Sequence, residues 1–146
     1  MTEEDYMSSA IKEAEKALKE GQKPFGVLIV DPKGKIVWKD HDRVNELFDP
    51  TAHGEINAIR GLCLKLKNVS LSGYTFYTSS EPCPTCFSAM LKAKITRLFY
   101  GAKTEKTASL PIPVEELNTR AKHPMEITGY VLEKEALLQR ESAVSN

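Results

Sequence analysis

The spacing of apolar residues divides the chain into short amphipathic segments. From Glu3 to Glu20 the apolar positions Tyr6, Ala10, Ala14, Ala17 and Leu18 recur at helical intervals, and Gly21 supplies a stop. The run from Phe25 to Val30 is apolar and β-branched, Asp31 to Gly34 reads as a turn, and Lys35 to Trp38 resumes strand character. Together they predict a hairpin. The polar stretch from His41 to Thr51, holding Asp49-Pro50, predicts a loop.

From His53 the period becomes helical again, with Ile56, Ile59, Leu62, Cys63 and Leu66 on one stripe. Tyr74 to Thr78 is strand-like. Pro82 and Pro84 interrupt it, and Cys86 to Lys94 predicts a helix with Phe87, Met90 and Leu91 inward. Ile95 to Tyr100 is a further strand, Met125 to Leu132 a fifth, and Glu133 to Glu141 a closing helix. The stretch from Ala102 to His123 has no readable period. Strands alternating with helices after an initial hairpin predict a three-layer α/β/α sandwich around a mixed sheet of about five strands.

A length of 146 residues suits a single domain spanning 1–146, and 41% hydrophobic residues suffice for a core. Charged residues make up 27% and balance to a formal net charge of zero, which argues against a large basic surface for nucleic acid. No apolar run approaches the ~20 residues that span a bilayer. The first twenty residues are acidic and amphipathic, without the basic-then-apolar order of a secretory signal, so a cytoplasmic protein is expected. Three cysteines, at 63, 83 and 86, do not make a disulfide framework. Cys63 falls on an apolar helix face and reads as a packing residue.

The chemistry is concentrated in two short motifs. His53-Gly-Glu55 opens one predicted helix and Pro82-Cys-Pro-Thr-Cys86 opens the next. Zn²⁺ takes thiolates and imidazoles, and a catalytic site uses three protein ligands with one position left for water. His53, Cys83 and Cys86 make that count. Both motifs sit at helix N-termini, where free N–H groups and the helix dipole favour thiolates. Glu55, two residues from His53, is placed to move protons instead of binding metal. The combination His-x-Glu with Pro-Cys-x-x-Cys is the signature of zinc deaminases. Cys83-x-x-Cys86 alone would also suit a thioredoxin-like redox pair, but that chemistry requires no preceding His-x-Glu. A structural zinc would call for a fourth ligand. His41 and His123 are available, though neither has motif spacing.

The chain resembles the cytidine deaminase-like superfamily, in the branch of guanine deaminases, fungal-type cytosine deaminases and tRNA adenosine deaminases. The resemblance rests on Pro24-Phe-Gly26, on Asp49-Pro-Thr-Ala-His-Gly-Glu-Ile-Asn-Ala-Ile-Arg60, on Ser80-Glu-Pro-Cys-Pro-Thr-Cys86 and on Phe99-Tyr-Gly-Ala102. It implies zinc on His53, Cys83 and Cys86 and proton shuttling by Glu55. It also implies substrate contacts from the backbone around Ala52 and from Glu81, Pro82 and Cys83, and a homodimer.

Two departures bear on the substrate. Eleven residues before the zinc histidine these relatives usually carry an Asn, and here Asp42 stands there. An ionised Asp only accepts hydrogen bonds, whereas Asn also donates. A slipped loop would bring Asn45 into the role instead. After Gly101 the acids that read a purine in guanine deaminases are represented only by Glu105 before Glu115, and the tail from Gln139 lacks the extra basic residues usual in the tRNA enzymes. A small-molecule amino-heterocycle is therefore the expected substrate, with guanine the first choice. Cytosine and a tRNA adenosine are the alternatives. Gly54 between His53 and Glu55 is a feature of fungal-type cytosine deaminases. An aromatic wall is expected from Phe25, Phe48 or Tyr100. A non-catalytic zinc-stabilised partner subunit is the rival of a different class, and the presence of Glu55 argues against it.

Overall fold

The computed structural model describes residues 1–104 and 108–144, with side chains through Ser142. The order of elements is α1 (Glu3–Lys19), β1 (Gly26–Val30), β2 (Ile36–His41), α2 (Val44–Leu47), α3 (Gly54–Leu66), β3 (Thr75–Ser80), α4 (Pro84–Lys92), β4 (Arg97–Ala102), α5 (Val114–Thr119), β5 (Glu126–Thr128) and α6 (Glu133–Val144). The strands form one sheet in the order β2-β1-β3-β4-β5. β1 runs antiparallel to both neighbours, while β3, β4 and β5 are parallel. The expected mixed five-stranded α/β architecture is present.

β1 alternates between two cores. Val27 and Ile29 pack with Ala58 and Leu62 of α3 and with Phe87 and Met90 of α4. Leu28 and Val30 pack on the other face with Tyr6, Met7 and Ala10 of α1 and Ala136 of α6. A strand covered on both faces reads as a continuous apolar run, which is why 25–30 shows no alternation. Each side chain buried this fully contributes about 2 kcal/mol.

Gly26 lets α1 cross close to the start of β1. A Cβ there would lie 2.2 Å from the Ala10 carbonyl oxygen. Gly61 does the same for α3 over β2, since a Cβ would meet the Trp38 ring at 2.1 Å.

Several expectations are corrected. β2 continues to His41, so its end is not loop, and a short helix follows at Val44–Leu47. The buried stripe of α3 is Gly54, Glu55, Ala58 and Leu62; Leu66 is exposed and Cys63 only partly buried. Met125–Leu132 yields a strand of three residues at the sheet edge. Within the unreadable stretch α5 forms over Val114–Thr119. Glu105 lies outside the described residues. Among the described residues no helix is long and apolar enough to cross a membrane.

The strand register sets the functional rim. Gly26 faces His41, Val27 faces Thr78, and Ser80 faces Ala102. The start of β1 and the ends of β2, β3 and β4 therefore meet at one edge. Both motif-bearing helices, α3 and α4, begin there, as ligand sites of α/β sheets commonly do.

Candidate metal centre and active site

His53 and Cys83 are the N-cap residues of α3 and α4, both with extended backbone, and Pro84 takes the first turn of α4. Proline fits there because its missing N–H has no helical partner to lose. Asn57 fastens α3 to the end of β2. Its side-chain amide donates to the His41 carbonyl at 3.1 Å and to the Ala52 carbonyl at 3.0 Å.

These caps bring His53 Nδ1 to 3.6 Å from Cys83 Sγ and 3.3 Å from Cys86 Sγ. The ligand atoms of His53, Cys83 and Cys86 all lie within 4.8 Å of one another. Tetrahedral zinc with bonds of ~2.3 Å to sulfur and ~2.05 Å to nitrogen requires N···S edges of ~3.5 Å. The triangle therefore has the dimensions and donor chemistry of a zinc site.

No fourth His, Cys, Asp or Glu joins this group among the described residues. His41 is engaged elsewhere, with Nε2 at 2.6 Å from Glu20 and Nδ1 at 2.9 Å from the Asp42 carbonyl. His123 is exposed. A three-ligand centre differs from the closed four-ligand structural type.

Charge within the triangle is shared unevenly. A hydrogen bond from Cys86 brings the Cys83 thiol down to about 4, despite burial, with His53 adding to the effect. Cys86 is pushed up in turn, by Cys83 first and by burial second. His53 is raised, chiefly by its hydrogen bond with Cys83, with burial opposing. A metal entering such a set displaces protons. Burial pushes the Glu55 carboxyl up to about 7, against the lowering influence of His53.

A cavity of about 560 Å³ opens over the triangle, lined by His53, Glu55 and Cys83 together with Phe25, Asp42, Glu81, Thr104 and Arg140. That volume is ordinary for a small-molecule site.

Asp42 is 1% exposed and reaches this wall, and its backbone N–H donates to the Phe25 carbonyl at 3.0 Å. Asn45, the alternative that a slipped loop would bring into that role, is placed away from it. Asn45 is not on the cavity wall; its side-chain amide donates to the Gly21 carbonyl at 3.4 Å. Ala52 and Pro82 are buried and do not line the cavity. Ala52's N–H and C=O are both engaged within the protein. Of the three aromatic candidates only Phe25 lines the cavity. Phe48 is 94% exposed, and Tyr100 is core, its hydroxyl donating to Glu115 at 2.7 Å.

Residues 1–102 match the family described as the cytidine and deoxycytidylate deaminase zinc-binding region. The chain belongs to this deaminase family. Its members are zinc-dependent hydrolases of C–N bonds, and this deaminase holds the matching His/Cys/Cys group.

A probable cytosine deaminase of Schizosaccharomyces pombe is 35% identical over 143 residues, covering 91% of this deaminase and 86% of the relative. A solved structure from studies of A-to-I editing by tRNA:A34 deaminases superposes with a TM-score of 0.84 at 31% identity, covering 92% of this chain and 98% of that one. The structure of guanine deaminase from Bacillus subtilis is 36% identical with a TM-score of 0.68, covering 70% of this chain and 66% of that one.

Sequence reasoning missed the part played by Arg140 and Thr104. They come from α6 and from the segment after β4, the least periodic parts of the chain, and no motif marks them. Asn57 lies inside the recognised motif, but its role as a tether needed the fold to become visible.

Proposed function

We propose that this deaminase hydrolyses the exocyclic amine of a free nucleobase or related amino-heterocycle, with guanine the first substrate to test. The observation that carries this reading is Asp42, buried on the wall of the cavity that also exposes Glu55 and His53. A carboxylate there accepts from a ring N–H or amino group, which guanine offers beside its reacting carbon.

In this reading His53, Cys83 and Cys86 hold the zinc. When bound, Zn²⁺ supplies a Lewis acid that makes water nucleophilic near neutral pH. Glu55 removes a proton from the attacking water as the C–O bond forms at the amine-bearing carbon. It delivers that proton to the adjacent ring nitrogen. It then carries the second proton to the amine, so that the C–N bond breaks and ammonia leaves. The carboxyl's burial keeps it away from bulk water between these transfers. Asp42 and the Phe25 ring orient the heterocycle.

Cytosine is the second reading, favoured by Gly54 and by the long alignment with the fission yeast relative. Cytosine also presents a ring N–H to Asp42. A tRNA adenosine is the third, favoured by the superposition on the A34 deaminase structure. A homodimer is part of the same proposal, supported by the exposed apolar side chains Leu47, Phe48 and Leu64.

The test is steady-state ammonia release by the zinc-loaded protein from guanine, cytosine, adenine and a tRNA anticodon stem-loop. Turnover of a free base is expected. Turnover of the stem-loop alone would replace this reading with the third.

A further inference from the structure

Arg140 lines the cavity, and among the described residues no carboxylate pairs with its guanidinium. Its Nη1 donates to the Lys103 carbonyl at 2.7 Å, and Nη2 donates to the Ser80 hydroxyl and, at 3.4 Å, to the Ala102 carbonyl. All three partners are neutral. Its Nε is buried and without a partner, and no ion pair to Arg140 exists among the described residues. The nearby Lys103 ammonium differs, because Glu81 and Glu115 both pair with it.

A guanidinium cannot shed its proton in a protein. Burying one beside neutral groups only is unfavourable, and burial does lower the tendency of Arg140 to hold its charge. A ligand oxygen in the cavity would offset that cost. The same cavity carries Asp42 as an acceptor, not paired with Arg140.

We infer that Arg140 is a substrate-binding residue that recognises an oxo group on the heterocycle, while Asp42 takes a ring N–H. The inference rests on the deaminase reading above and narrows its substrate class to amino-heterocycles that also contain a ring lactam. Guanine, isoguanine and cytosine have both an N–H and an oxo group. Adenine has no oxo group. Carboxylate-bearing heterocycles would satisfy Arg140 by the same chemistry, and the experiment separates them from oxo-bearing ones.

The position also explains why Arg140 is fixed. Its neutral partners Ser80 and Ala102 face each other across β3 and β4, at the ends of strands that lead toward Cys83 and the cavity. The side chain is held at both Nη atoms, and of its five N–H donors one on Nη1 is left for an acceptor in the cavity.

The experiment compares matched pairs as competitive inhibitors or substrates of the zinc-loaded protein. The pairs are guanine with 2-aminopurine, isoguanine with adenine, and cytosine with 4-aminopyrimidine. Each pair keeps the reacting amine and differs by one oxo group and the accompanying ring proton. A carboxylated aminopyrimidine forms a further arm.

The wild type is expected to bind the oxo member of at least one pair about tenfold more tightly or better, the size of one charged hydrogen bond. Arg140→Met is expected to abolish that preference, with kcat for a turned-over substrate changed far less than KM. Arg140→Lys is expected to retain part of it. Stronger binding of the carboxylate than of any oxo member would overturn the oxo assignment. Equal loss of affinity for both members in Arg140→Met would show a purely structural clamp and overturn the inference. If Arg140→Met fails to fold, Arg140→Lys takes its place: an undiminished oxo preference in that variant overturns the inference, as does the absence of any preference in the wild type. Absence of turnover with the oxo preference intact in binding would sink the deaminase reading and leave this recognition standing.

Discussion

Glu81 accepts a hydrogen bond from the backbone N–H of Val114 at 2.9 Å, across 33 residues of chain. The same carboxylate accepts from Lys103 Nζ at 3.2 Å and from the Thr104 N–H at 3.3 Å. It is buried, and it sits two residues before Cys83. It therefore fastens the segment between β4 and α5, which walls the cavity, to the loop that carries the metal ligands. Glu81→Ala leaves the buried Val114 N–H without its acceptor and Lys103 paired with Glu115 alone. It is expected to lower stability by roughly 3 kcal/mol. Urea unfolding of the zinc-loaded protein checks this, and a loss under about 0.5 kcal/mol would show that the segment holds without Glu81.

Glu55 predicts a pH-dependent stability difference. Its carboxyl is raised by burial from 4.5 to about 7 in the metal-free site. A carboxyl raised in the folded state contributes stability that is fully present below its unfolded value near 4.5. That contribution is lost as pH rises through about 7. Zinc-free Glu55→Gln should therefore match the zinc-free wild type at pH 4.5 and below. It should exceed the wild type by roughly 3 kcal/mol at pH 8. Unfolding curves at the two pH values give the answer; a constant difference would mean that Glu55 is not desolvated.

The fold was readable wherever one periodicity ruled. The double burial of β1 announced itself as Val27-Leu-Ile-Val30, and both motif helices followed from their caps. Two kinds of feature resisted. Glu55 occupies the buried stripe of α3 with Ala58 and Leu62. An apolar count along the helix passes over a carboxylate and runs through Leu66 instead. The cavity wall formed by Thr104 and Arg140 depends on tertiary partners far away in sequence, and such pairings leave no local period. Asp42 lines the cavity near His53, because Asn57 ties the end of β2 to the start of α3. Asn45 turns toward Gly21 and away from the cavity wall.

The metal set gives a sharper expectation. His53→Ala, Cys83→Ser and Cys86→Ser should each drop bound zinc from about one ion per chain to near zero after dialysis, since two ligands hold zinc poorly. Metal analysis of the three purified variants reads this directly. Retention of full zinc by any one of them would remove that residue from the ligand set. Chelation of the wild type should lower its melting temperature, because zinc binds the folded site preferentially.

Asp42→Asn replaces an acceptor by a group that also donates. KM for a substrate with a ring N–H should rise about tenfold, with zinc content unchanged and kcat altered less. Steady-state kinetics on the base selected by the substrate panel would show it. An unchanged KM would place the ring N–H elsewhere in the cavity.

The central claim is hydrolytic deamination driven by Glu55 over a His53/Cys83/Cys86 zinc site. Its most direct test is ammonia release by zinc-loaded Glu55→Ala beside the wild type, on the best free base, with zinc measured in the same samples. The account predicts a fall in kcat of roughly a hundredfold to ten-thousandfold with zinc fully retained. Equal turnover by the two proteins at equal zinc would contradict it.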